Sequence, residues 1–181
     1  MPALAHFGIG LAAKRYFPKI PLWTLLTSAM LIDILSFIFI FALWPSHGLF
    51  MAVVWSVSAM LITTLIPKLL NFKKEQDKKR ISMLWDMKIL NVCIIIGLLV
   101  FSHGVLDYIG WPMSVINTDA TGTPLLFDDS VWIGLGVYST WFGALTMDMG
   151  VFIVGLAIYL YYVKKIKKIK ISNDIKSEKF S

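Results

Sequence analysis

Residues 89–109 read ILNVCIIIGLLVFSHGVLDYI, an apolar run that closes on a histidine and an aspartate four positions apart. About 20 such residues are enough for a helix to cross the hydrocarbon core of a bilayer. On that helix His103 and Asp107 lie one above the other on the same face. An ionisable group at such depth is expensive unless something pairs with it. The chain holds two further histidines, His6 and His47, and both also lie in strongly apolar surroundings.

The composition agrees with a membrane setting. Of 181 residues 57% are hydrophobic and 15% charged, too much apolar surface for a soluble domain of this size to hide. Span-length runs occur at Leu22–Trp44, Gly48–Ile66, Ile89–Ile109 and Tyr138–Val163. The expected fold class is therefore all-α and polytopic, with four transmembrane helices. A shorter apolar stretch, Pro2–Ala13, is too short to span at about 1.5 Å per residue and reads as a re-entrant or interfacial helix. It follows no basic region and precedes no small-residue cleavage site, so it does not read as a signal peptide.

All 17 basic residues fall on one side of this arrangement. Lys14, Arg15 and Lys19 precede the first span, Lys68 to Lys88 separate the second from the third, and seven lysines follow the fourth; the other connections contain none. The positive-inside rule then places both termini in the cytoplasm, as expected for a multi-pass protein of a bacterial inner membrane. The net charge of +6 reads as a topology signal. The Lys164–Lys170 cluster adjoins a span, so membrane lipid rather than nucleic acid is its expected partner. Residues 1–170 read as one membrane-embedded domain and 171–181 as a disordered basic cytoplasmic tail.

Within the runs, Gly8 and Gly10 are small enough for close helix packing. Ser46 reads as an N-cap of the second span, with His47 in its first turn. Residues 110–137 are long enough for a functional cap. Trp111, Trp132 and Trp141 read as an outer aromatic belt. Cys93 is the single cysteine, which excludes an intramolecular disulfide.

Taken singly, each histidine has an ordinary reading as an interfacial or hydrogen-bonded residue. Asp33 does not, because no lysine or arginine occurs in the apolar body of any span to neutralise it. Taken together, three histidines and two such aspartates form the imidazole–carboxylate ligand set of zinc and similar divalent ions, and chelation would remove the cost of two bare charges. Asp148, ten residues into the fourth span, reads either as a carboxylate supporting a ligating histidine or as a protonated packing residue.

The order His6, Asp33, Ser46-His47-Gly48-Leu49 and Ser102-His103-x-x-x-Asp107 resembles the bacterial membrane-bound metal-dependent hydrolase family. It is more distantly similar to zinc-dependent phospholipase C and the single-strand-specific zinc nucleases. The resemblance covers residues 3–110. It implies that Asp33, His47, His103 and Asp107 hold a divalent metal, zinc by preference, that His6 approaches Asp107, and that Asp33 is also the catalytic carboxylate that orients or deprotonates the attacking water. The implied chemistry is hydrolysis of a phosphodiester or other ester, with a lipid-like substrate at the outer leaflet. Ile32, Leu35 and Ser36 depart from the family pattern around the first aspartate. With no further histidine, and with Glu75 and Glu178 on the cytoplasmic side, a full multi-metal centre of the phospholipase kind has no ligands. The alternative expectation is a non-enzymatic membrane protein, for ion or proton passage or as a scaffold, with a structural His/Asp cluster.

Overall fold

The computed structural model describes residues 3–39, 44–71, 79–112, 122–127 and 130–178. Its helices are α1 (Ala3–Tyr16), α2 (Leu22–Ala29), α3 (Leu31–Ile38), α4 (Trp44–His47), α5 (Leu49–Asn71), α6 (Lys79–Gly110) and α7 (Trp141–Glu178). A two-residue antiparallel ladder pairs β1 (Thr123–Pro124) with β2 (Trp132–Ile133). The described chain is otherwise helix, turn and loop.

Two helical segments, Ile89–Gly110 and Trp141–Ser172, are long and apolar enough to cross a membrane; Leu49–Leu65 is a shorter apolar helix. The expected first span, Leu22–Trp44, is not one helix. It breaks at Met30, whose φ of −99° and ψ of 4° leave the helical region, and α3 ends at Ile38. The N–H of Met30 still reaches Leu26 O at 3.0 Å, and its carbonyl accepts from Ile34 N at 3.0 Å, so one residue swivels between two helices. Each piece has eight residues, or about 12 Å, and cannot cross a bilayer alone. Residues 40–43 of that run lie outside the described residues. At the other end, α7 stays helical to Glu178, in place of the disorder expected from residue 171.

The chain packs as two close helix pairs joined by α2. In the first, α1 runs parallel to α7: Ala5 meets Asp148, Gly8 meets Val151 and Gly155, and the Arg15 guanidinium sits 5.2 Å above the Tyr161 ring. A Cβ on Gly8 would fall 2.5 Å from Val151 O, and one on Gly155 would overlap Gly8 O. The two backbones touch because neither residue has a side chain. Basic Lys14 and Arg15 close the last turn of α1, where they complement the helix dipole.

In the second pair, α5 and α6 meet at Gly104, where an added Cβ would overlap that of Ala52. Lower down, Ser56 donates to Gly97 O at 2.7 Å. Ile32, Ala52, Ala59, Ile96 and Val100 form the buried core between α3, α5 and α6. Leu25 of α2 packs with Ala13, Ile20 and Leu99 and so ties α1 to α6.

The described parts of the 110–137 connection hydrogen-bond to one end of this bundle. Phe50 N donates to Leu125 O at 3.0 Å, Leu135 N to Tyr108 O at 2.9 Å, and Gly136 N to Trp111 O at 2.7 Å. Gly136 takes a φ of +69°, which only glycine adopts without strain. A short 3-10 turn, Val137–Ser139, then leads into α7.

Candidate metal centre

Five side chains from four helices converge beneath that cap. His6 comes from α1, Asp33 from the first turn of α3, His47 from the end of α4, and His103 with Asp107 from one face of α6. Each is at most 6% exposed. The break at Met30 explains how Asp33 arrives, because a straight helix to Trp44 would hold it about 16 Å from the outer end. Two features bring His6 to the same level, the parallel run of α1 against α7 and the Asp148 contact at Ala5.

The distances describe the cluster. His47 Nε2 lies 3.3 Å from Asp33 Oδ1 and 3.9 Å from Asp107 Oδ2. His103 Nε2 lies 3.5 Å from Asp33 Oδ1 and 3.4 Å from Asp107 Oδ2. His6 Nε2 lies 3.6 Å from the other oxygen of Asp107, Oδ1. The His6 and His103 rings stack, with centroids 3.6 Å apart and planes 5° from parallel.

Two explanations compete for this spacing. Charged N–H···O bonds draw their atoms to about 2.7–2.9 Å, shorter than any of these five separations. Four ligand atoms placed tetrahedrally at 2.0–2.2 Å from one ion stand about 3.4 Å from each other. His47 Nε2, His103 Nε2, Asp33 Oδ1 and Asp107 Oδ2 have four measured edges of 3.3–3.9 Å. Those four edges suit ligands of one ion, and the shortest, His47 Nε2 to Asp33 Oδ1, is also within hydrogen-bond range.

Proton placement agrees. His103 Nδ1 lies 2.8 Å from Ala29 O, and a carbonyl only accepts, so Nδ1 carries the hydrogen. In the neutral ring Nε2 then turns a lone pair toward two carboxylates, an arrangement that a cation relieves. The carbonyl is available because Ala29 is the last residue of α2, and terminal helical carbonyls lack intrahelical partners. The break therefore places Asp33 and orients His103 together. His103 Nε2, both nitrogens of His6, Asp33 Oδ2 and Asp107 Oδ2 are buried and form no hydrogen bond among the described residues.

The sets His6, Asp33, His103 and His47, His103, Asp107 can each hold a metal ion. Imidazole with carboxylate suits divalent ions of the zinc type. All five predicted ligands thus lie together.

Two neighbouring residues have roles the sequence did not reveal. Ser46 is not an N-cap of α5; it lies inside α4, and its Oγ is 2.8 Å from His47 Nδ1. Asp148 forms no ion pair with a histidine among the described residues. Its Oδ1 accepts the Ala5 N–H at 2.8 Å, so it caps the start of α1 one residue before His6. The only advance sign was an aspartate in an apolar run without a basic partner.

Comparison with known proteins adds no relative: no protein-family model, no curated protein and no solved structure matches this chain.

Proposed function

We propose that this chain is a membrane-embedded, metal-dependent hydrolase acting on a phosphodiester or other ester of a lipid-like substrate. The reading rests first on the spacing of His47 Nε2, His103 Nε2, Asp33 Oδ1 and Asp107 Oδ2. The order of those residues, which resembles the bacterial membrane-bound metal-dependent hydrolases, is its second support. Zinc is the proposed ion, and it supplies Lewis acidity toward an ester oxygen when bound. The remaining work belongs to the side chains. Asp33 Oδ2 has no hydrogen-bond partner among the described residues and is the acceptor proposed for the proton of the attacking water. Ser46 and the Ala29 carbonyl hold two imidazoles in register. The cap formed by the outer connection keeps bulk water from the cluster.

In this reading the chain crosses a bacterial inner membrane four times, through the broken α2–α3 unit, α5, α6 and α7. The exposed apolar side chains of α7, among them Phe142 at 80% and Leu145 at 65%, support a lipid environment. The basic ends, Lys14–Lys19 and Lys164–Lys170, face the cytoplasm. In that orientation the start of α1 lies at the level of the cluster, so α1 is re-entrant, buried against protein.

The test is hydrolysis of a phospholipid in detergent micelles by the zinc-loaded protein. Headgroup release that ends on chelation, and is lost in Asp33→Asn, supports the reading. No turnover at full metal occupancy contradicts it, and metal or proton uptake by vesicles carrying the protein would move the function to the transport class.

A further inference from the structure

Tyr138, in the 3-10 turn that leads into α7, is 1% exposed, and its hydroxyl forms no hydrogen bond among the described residues. Its ring lies against Gly110, where an added Cβ would overlap Cδ2 and Cε2 and come within 3.0 Å of Cζ. Gly110 is three residues beyond Asp107, on an adjoining part of the α6 surface, so the phenol is carried to the end of α6 that holds the metal ligands. The turn is braced to keep it there. Ser139 N donates to Gly136 O at 2.9 Å, and Ser139 Oγ donates to Pro112 O at 3.2 Å.

A buried hydroxyl without a partner costs free energy, and phenylalanine would fill the same space without that cost. The group is also restricted to one role. A phenol ordinarily titrates at about pH 10. At working pH it is an O–H donor and not a base. A neutral donor at the same end of α6 as a bound divalent ion would favour an oxygen that bears negative charge and reaches both. Phosphoryl oxygens have that property, in free phosphate and in a lipid headgroup alike.

We infer that Tyr138 is a ligand-binding residue of the metal centre, donating its hydroxyl hydrogen to a phosphoryl oxygen of the molecule bound there. The inference rests on the metal-centre reading and names the ligand class for it. Tyr138 contributes nothing to holding the ion.

The experiment uses full-length protein in detergent, loaded with zinc, and compares wild type with Tyr138→Phe. Metal content is measured first, then the affinity for inorganic phosphate and, separately, for a short-chain phosphatidic acid. The expected result is equal metal content and an unchanged or raised melting temperature, with affinity for at least one of the two phosphoryl ligands weakened about tenfold or more, the loss of one hydrogen bond to a charged oxygen. Weakening with both ligands locates the contact on the shared phosphoryl group, and weakening with the lipid alone locates it in a headgroup. Gly110→Ala, whose new methyl must displace the Tyr138 ring, is expected to reproduce the loss. Equal affinities in wild type and Tyr138→Phe overturn the tyrosine assignment while leaving the metal centre intact. Wild type that takes up no metal overturns both, and metal-loaded wild type that binds neither phosphoryl ligand overturns the assignment.

Discussion

Asp148 on α7 accepts a hydrogen bond from the backbone N–H of Ala5, 2.8 Å away and 143 residues earlier in the chain. Ala5 lies in the first turn of α1, where helical N–H groups have no intrahelical partner and the dipole favours an anion. The next residue is His6. A carboxylate in an apolar helix is thereby used to fix the height and rotation of another helix that delivers an imidazole. Asp148→Ala is expected to destabilise the protein by about 1–2 kcal/mol, the loss of a helix cap, and to weaken metal binding. Asp148→Asn retains an acceptor oxygen and should lose less of both. Thermal melts in detergent with metal titration check this; equal behaviour of the two variants would remove the capping role.

The α1–α7 contact makes a sharper mechanical prediction. Gly155→Ala places a methyl against the Gly8 carbonyl, and backbone cannot step aside as a flexible side chain can. A loss of about 1–3 kcal/mol, typical of overpacking, is expected, together with weaker metal binding as His6 is displaced. Gly150→Ala, one turn away on the same helix, meets nothing within 4 Å and should leave both quantities unchanged. If the two variants melt alike, the packing is not what positions His6.

Ser46 tests whether the partners of the ligating rings matter. Its Oγ lies 2.8 Å from His47 Nδ1 in a fully buried position. Removing such a support from a ligating histidine costs about 10–100-fold in metal affinity. Ser46→Ala should fall in that range while remaining folded by circular dichroism. An unchanged affinity would show that His47 is oriented by its backbone alone.

How the ligands could be read in advance, and the path between them could not, has a physical explanation. Ionisable residues inside apolar runs are few because they are costly, so Asp33 stands out alone, and the three histidines with Asp107 stand out once they are taken together with it. The helical period then placed His103 and Asp107 on one face, as α6 has them. The break at Met30 left no such sign. Sharp helix breaks usually announce themselves through proline or glycine, and Ala29-Met30-Leu31 contains neither. Leu22–Trp44 reads as one span, and the depth of Asp33 in it leaves two expectations, a helix break soon after Asp33 or a cavity reaching toward the midplane; nothing in the residues puts the break at Met30, before Asp33. Gly8 showed that a close contact was possible but did not name Gly155 as the other side. Tyr138 left no trace at all, since a tyrosine in a loop carries no periodic signal and its burial depends on Gly110, nearly thirty residues earlier.

The central claim is that His47, His103, Asp33 and Asp107 stand about one tetrahedral edge apart because they grip a divalent ion. The direct measurement is elemental analysis of full-length protein purified in detergent without added metal, then after zinc loading and dialysis, alongside His103→Ala and Asp107→Ala. The account predicts at least about one divalent ion retained per wild-type chain and more than a hundredfold weaker binding in each variant, since each loses one of a small set of ligands. Wild type that retains no more zinc than the two variants would contradict it.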